Sequence, residues 1–435
     1  MSNLKELRNK LKNPVVKGSL IYTLAGLINS LIPFLLLPIL TDYLSPEQYG
    51  ILSTFMVLVS VFMLLVGIEQ QGYISVNFFK KSKFELSKDI FNSLTISFLI
   101  FVILSILSIL FSDLLEDIVK IDYEWILFAL MIAFFQFVTQ MNLTIWQLKE
   151  LPAYFGLYQI GYSLINYGVS LVLIIMLSMG ESGRIYGIAI AACIFGILSI
   201  FILIKNRHLT PSFNIKSVML SLRFCVPLIP HGLAGWVNTG LDKVLINNFV
   251  SVSENGIYSI SYQFAMVIGL IASSFNRAFV PFLYKKLNEK NPDNNKILVK
   301  YTYLYFLILT ILTFLIYFLT PVIMRVFISD DYQDANKYVF WIMMGFLADG
   351  FYYGVVNYIY YKKKTYYLSL ITFFVAIIHF LLSWILIPRL GSIAASYATA
   401  IGYIISFVLV WIVSNRIYPM PWLAPFKIIL KKIRF

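Results

Sequence analysis

The sequence predicts an all-α integral membrane protein of twelve transmembrane helices, built as two six-helix lobes related by a pseudo-two-fold axis along the membrane normal. Three observations carry that prediction. Hydrophobic residues make up 60% of the 435 residues and charged residues only 13%, and apolar runs recur from end to end, each long enough to cross a hydrocarbon layer of roughly 30 Å as a helix. The segment LTDYLSPEQYGIL recurs in altered form as INNFVSVSENGIY, with Ser45 falling on Ser251 and Gly50 on Gly256, a constant offset of 206 residues. Finally, Lys and Arg collect in alternate loops.

Apolar runs bounded by charge or turn residues give a first set of helices near 18–41, 48–79, 89–111, 124–148, 153–178 and 185–204. A second set follows near 224–249, 256–283, 297–320, 337–361, 366–387 and 392–414. The runs are continuous rather than alternating, and lipid requires backbone bonds to close within a segment, so helices are expected and a barrel is not. The domains are a cytoplasmic amphipathic segment 1–17, an N-lobe 18–204, a linker 205–223, a C-lobe 224–414 and a basic amphipathic tail 415–435. Leu4, Leu7 and Leu11 among lysines, and Trp422, Phe426, Ile429, Leu430 and Ile433 near Lys431 and Lys432, have the spacing of surface-lying amphipathic helices. The run from Gly18 to Leu40 is too long for a signal-peptide core and lacks a small-residue cleavage site, so it is read as helix one.

Orientation follows from the bases. Sorting Lys and Arg by loop places 27 on one side and five, Lys120, Arg184, Arg325, Lys337 and Arg389, on the other. Both termini are therefore expected in the cytoplasm. The net charge of +13 is a topology signal, and no nucleic-acid partner is expected. Cys193 and Cys225 sit in or at the start of apolar helices and read as packing residues rather than a disulfide.

Enzyme chemistry finds no foothold. His208, His231 and His379 are far apart without metal-ligand spacing, and no phosphate loop, nucleotide fingerprint or nucleophile elbow occurs. No catalytic residue, cofactor or metal is expected, which leaves an H+ or Na+ gradient, or the cargo's own gradient, as energy source unless a partner hydrolyses ATP.

The informative residues are the ionisable ones inside apolar helices: Glu69, Asp242, Lys243, Arg277 and Asp349. Each costs roughly 2.5–3.5 kcal/mol at a bilayer centre on the gentlest scale, so they should face a wet cavity or one another. Shifting by 206 residues puts Arg277 on Gln71, two residues from Glu69. A gating pair across the lobes, with Arg277 released to anionic cargo, is one reading; snorkelling of each to the interface is the other. Lys243 is a second candidate anion contact, with the adjacent Asp242 its structural partner or an anchor to a neighbouring helix. Asp349 is the candidate coupling carboxylate, or a helix-packing polarity. Pro33 and Pro38 interrupt helix one, and Pro227, Pro230 and Gly232 interrupt helix seven, so both are expected to line the path. Asn29, Asn238, Gln136, Gln140 and Asn142 are candidate neutral contacts, and the tyrosines of helices five and ten could stack on sugars or belt the interfaces.

LIPFLLLPILTDYLSPEQYG, LDKVLINNFVSVSENGIYSISYQ and GSIAASYAT resemble the polysaccharide-export branch of the multidrug/oligosaccharidyl-lipid/polysaccharide (MOP) exporter superfamily, and within it the Wzx-type flippases. The resemblance runs over essentially the whole chain. It implies a MOP/MATE-like fold, alternating access and a cargo of undecaprenyl-pyrophosphate-linked oligosaccharide for O-antigen or capsule synthesis. It further implies a cationic lumen, carried here by Arg277 and Lys243, and partners among membrane lipids, a polysaccharide polymerase and a chain-length regulator, with the flippase itself a monomer. Alternatives are a MATE-type drug/cation antiporter, which would favour acids in its cavity; a peptidoglycan-precursor flippase, which often carries extra helices; and a membrane polysaccharide polymerase, which would display a large outer loop with several arginines.

Overall fold

A computed structural model describes residue 26 and residues 31–289 and 291–423. The amphipathic segment 1–17, most of helix one including Asn29, and the tail beyond 423 lie outside the described residues. Among the described residues, eleven helices are long and apolar enough to cross a membrane, and they fall where the hydrophobic runs after helix one place them. The chain divides into two compact units, Met1–Trp236 and Val237–Phe435.

The first unit opens with α1 (Leu37–Tyr43), α2 (Pro46–Gly67), α3 (Gln70–Asn77), α4 (Lys83–Leu110) and α5 (Ser112–Val119). It continues through α6 (Tyr123–Leu148), α7 (Pro152–Leu171, prolonged by a π turn Val172–Met176), α8 (Gly180–Lys205) and α9 (Ile215–Cys225), and ends in the opening turns of α10 (Ile229–Phe249). The repeated serine explains itself here. Ser45 Oγ accepts from the Gln48 N–H at 3.3 Å while Gln48 Oε1 accepts from the Ser45 N–H at 3.0 Å, a reciprocal cap reinforced by Pro46 in the first turn.

What reads as one rod over 48–79 is two helices. Ile68 (φ 42°) and Glu69 (φ 55°) are both left-handed, which bends the chain between α2 and α3. A buried cluster of Ile68, Ile74, Ile90, Phe137, Met141 and Cys225 encloses the bend, and Cys225 Sγ lies 3.7 Å from the Glu69 carbonyl, which also accepts from the Gly72 N–H at 2.9 Å. The expected break in helix seven is present as a 3₁₀ turn, Val226–Leu228, around Pro227.

The linker packs on the first unit. Asp89 of α4 pairs with Lys81 Nζ at 2.6 Å and accepts from Ser217 Oγ of α9 at 2.6 Å, while Ser87 and Thr210 hydroxyls meet at 2.6 Å. Trp236 Nε1 donates to the Val57 carbonyl of α2 at 3.2 Å. Compactness therefore divides the chain within α10, further along than the lobe start read at residue 224.

The second unit comprises the rest of α10 with α11 (Val252–Asn288), α12 (Pro292–Phe327), a 3₁₀ turn (Asp330–Ala335), α13 (Asn336–Tyr361), α14 (Tyr366–Leu390) and α15 (Ile393–Ile417). Ser251 caps α11 as Ser45 caps α2, its Oγ accepting from the Glu254 N–H at 3.1 Å. Small residues bring α13 and α15 together: a Cβ on Gly345 would lie 3.4 Å from the Ala400 Cα.

Candidate functional site

In the first unit, Gln136 and Gln140 project from α6 toward α7, one helical turn apart and on one face. With Thr139, Tyr158, Gln159, Tyr162, Ser163 and Met63 they line a pocket of about 260 Å³. Gln136 Nε2 donates to Tyr162 OH at 3.0 Å. Thr139 Oγ1 and Gln159 Oε1 are buried without a hydrogen-bond partner among the described residues. Amides and hydroxyls lining a space inside apolar helices each supply both donors and acceptors, the chemistry that a neutral polyhydroxylated group requires. Asn142, also a candidate, is fully buried beneath them. Glu69 is half-buried at the bend, and its carboxylate has no ion pair among the described residues.

In the second unit the charged candidates separate into two groups. Asp242 is buried and committed to its neighbours, accepting from Ser383 Oγ of α14 at 2.7 Å, Thr399 Oγ1 of α15 at 3.1 Å and Tyr258 OH of α11 at 3.4 Å, with His379 Nε2 at 3.3 Å. It therefore ties α10 to three helices. Lys243, one residue on, turns about 100° away and is half-buried with Nζ 5.6 Å from the Tyr262 ring centroid. It has no ion pair among the described residues.

Asp349, at mid-length of α13, is half-buried and unpaired among the described residues. Tyr262 and Tyr403 lie within electrostatic reach of it, and Tyr353 feels both Asp349 and Arg277. Arg277 is exposed, donates from Nη2 to Ser274 Oγ at 3.0 Å, and likewise has no acid partner among the described residues. Tyrosines thus link Lys243, Asp349 and Arg277 in a row along α10, α11 and α13. Asn238 is half-buried, its Oδ1 without a partner among the described residues.

A model of the family described as polysaccharide biosynthesis protein matches residues 15–287. The chain belongs to that family. A second model, MatE, matches residues 227–385 of this polysaccharide biosynthesis family member. It is similar to the Capsular polysaccharide biosynthesis protein CapF of Staphylococcus aureus, 24% identical over 91% of this chain and 98% of the relative. Among solved structures it is similar to the lipid II flippase MurJ in an inward closed conformation, with a TM-score of 0.70 and 18% identity over 92% of this chain and 86% of that one. A multidrug resistance MATE family transporter of the MOP superfamily, inward-facing, gives a TM-score of 0.69 and 14% identity over 89% and 94%. The fold of this family member is that of the MOP transporters.

Two polar clusters escaped the reading of the sequence. Arg184, sorted among loop bases, lies inside the first unit because α8 begins at Gly180: Nη1 donates to Asn166 Oδ1 at 2.5 Å and Ser170 Oγ at 2.7 Å, and the guanidinium sits 4.5 Å from the Tyr167 ring centroid. The flanking Gly180 and Gly183 had disguised the first turn as loop. The second is the set of Asp242 partners on α14 and α15, which no local spacing could reveal.

Proposed function

We propose that this protein is a flippase that carries an undecaprenyl-pyrophosphate-linked oligosaccharide from the cytoplasmic to the outer leaflet by alternating access, supplying repeat units for a surface polysaccharide such as capsule or O-antigen. The supporting observation is the pairing of chemistries inside apolar helices. Lys243 and Arg277 are cations without an acid partner among the described residues, and the Gln136–Gln140 pocket offers neutral donors and acceptors. A pyrophosphate needs the first and a sugar the second. Each hydroxyl stripped of water without a partner costs roughly 2–7 kcal/mol, so a polar lining removes most of the barrier while the prenyl chain stays in lipid.

In this reading Lys243 and Arg277 contact the anionic head, Gln136, Gln140 and Asn238 the sugars, and Asp349 couples the cycle to H+ or Na+. Asp242 holds α10 in register rather than touching cargo. The basic loops face the cytoplasm, and the partners are membrane lipids and a polysaccharide polymerase. The relatives support it by their names, a capsular polysaccharide biosynthesis protein and a lipid II flippase.

The deciding experiment is leaflet translocation of a lipid-linked oligosaccharide in proteoliposomes, read by lectin access from outside. Lys243→Gln and Arg277→Gln are expected to lose translocation. The MatE match and the unpaired Asp349 favour a second reading, a drug/cation antiporter. It would prevail if cationic dyes were extruded in an Asp349-dependent way while Arg277→Gln left the protein active.

A further inference from the structure

A second cavity lies in the first unit and shares one lining residue, Tyr158, with the pocket described above. It is an open groove of about 830 Å³ between the ends of α6, α7 and α8. Its walls are Trp146, Tyr154, Leu157, Phe195, Leu198 and Ile202, and Lys149, Lys205 and His208 stand at its mouth. Leu157 is 72% exposed and Leu198 40% exposed, so the groove opens on apolar surroundings rather than being filled by the unit's own core.

The mouth is unbalanced in charge. Lys149 Nζ and His208 Nε2 are 2.7 Å apart, a distance that requires the imidazole nitrogen to accept from the ammonium. Burial, helped by Lys149 and Lys83, pushes His208 down to about 4, so it carries no charge of its own near neutrality. Lys149 and Lys205 have no ion pair among the described residues, and they stand at the ends of α6 and α8 that lead into the basic loops. An interfacial aromatic belt explains Trp146 and Tyr154 singly, but a belt lies on a convex surface, whereas here two ammonium groups without a carboxylate partner among the described residues crown an apolar concavity. The ligand chemistry complementary to that is one phosphate attached to hydrocarbon.

We propose that this groove is a binding site for an anionic phospholipid of the leaflet bordering the basic loops, its phosphodiester held by Lys149 and Lys205 and one acyl chain lying along Leu157, Leu198 and Ile202. Tyr158 borders both this groove and the Gln136–Gln140 pocket, but Lys149, Lys205, Leu157, Leu198 and Ile202, which carry the proposal, have no role in the translocation reading. It gives the first unit a lipid-dependent stability.

The test uses the purified full-length protein in detergent, titrated with phosphatidylglycerol and followed by native mass spectrometry. Wild type is expected to retain phosphatidylglycerol in preference to phosphatidylcholine, and Lys149→Gln with Lys205→Gln to weaken it by roughly thirtyfold, the combined effect of two interfacial lysines. Leu198→Trp, which fills the groove without altering charge, should weaken both lipids. Lys285→Gln with Lys300→Gln, the same charge change in the second unit, should leave retention unchanged. Equal loss in that control, indifference to Leu198→Trp, or equal affinity for inorganic phosphate would overturn the proposal. So would displacement of phosphatidylglycerol by equimolar undecaprenyl phosphate, which would assign the groove to the cargo carrier.

Discussion

Removing the Asp242 carboxylate should loosen the second unit measurably without abolishing translocation. Asp242 is 4% exposed, and the hydroxyls of Ser383, Thr399 and Tyr258, each no more than 1% exposed, donate to it. In Asp242→Ala all of them lose the carboxylate, and among the described residues Tyr258 and Thr399 keep only each other, their hydroxyls 3.4 Å apart. At about 0.6 kcal/mol for an average interhelical hydrogen bond in a membrane the loss is about 2 kcal/mol, and at about 1–3 kcal/mol for each unsatisfied buried donor it would be about 3–9 kcal/mol. Ser383 and Thr399 are helical hydroxyls and can swing back to a carbonyl one turn earlier, so about 2–4 kcal/mol is expected. Asp242→Asn keeps one acceptor oxygen for Ser383 but presents an amide where Thr399 donates, and should fall between. The measurement is unfolding free energy in bicelles by detergent titration, alongside vesicle translocation. An Asp242→Ala protein within about 0.5 kcal/mol of wild type, the usual span of an inconsequential surface change, would refute the clamp. So would an Asp242→Asn protein of wild-type stability that transports nothing.

Ser45→Ala and Ser251→Ala should each cost about 1 kcal/mol, and their combination should be additive in the same titration, since the two caps share no partner. Gly345→Leu should destabilise by about 1–3 kcal/mol through overpacking, because a Cβ there already lies 3.1 Å from the Tyr403 ring. His208 sits below its ordinary value of 6.5, at about 4, so the unfolded chain binds the extra proton first and thermal stability should fall as pH drops from 6.5 toward 4; His208→Asn should flatten that slope. For Lys81, burial lowers the affinity for its proton, but the hydrogen bonds to Asp89 and Tyr73 together raise it above the usual 10.5. Its contribution is therefore complete below that value and should be lost only as pH rises beyond it, leaving stability flat across the neutral range when Lys81→Met is compared with wild type.

Helix positions were legible because they depend on local runs of apolar residues and on punctuation that acts within a turn. Ser45, Ser251 and Pro227 each do in the fold what their neighbours in sequence imply. The bend at Ile68 and Glu69 was not legible, since neither residue is a glycine or proline and a β-branched side chain argues against a left-handed turn. Tertiary packing imposes it. The ionisable residues were found by type, but whether each is committed or available depends on residues far along the chain: Asp242 meets Ser383 across 141 positions and Thr399 across 157. Lys243 has no such partner, and nothing in the dipeptide distinguishes the two. Arg184 was misplaced because four residues of helix start at Gly180 resemble a loop.

The elbow between α2 and α3 stores a preference for being straight. Two consecutive left-handed non-glycine residues cost about 1–2 kcal/mol each relative to ordinary helix, so a continuous rod from Pro46 to Asn77 would be favoured by roughly 2–4 kcal/mol on backbone grounds alone. Side-chain burial around Ile68 and Ile74, with Cys225 beside the Glu69 carbonyl, holds it cocked. Any loss of that burial, for example by truncating Ile68 or Ile74, therefore removes what opposes the straight form.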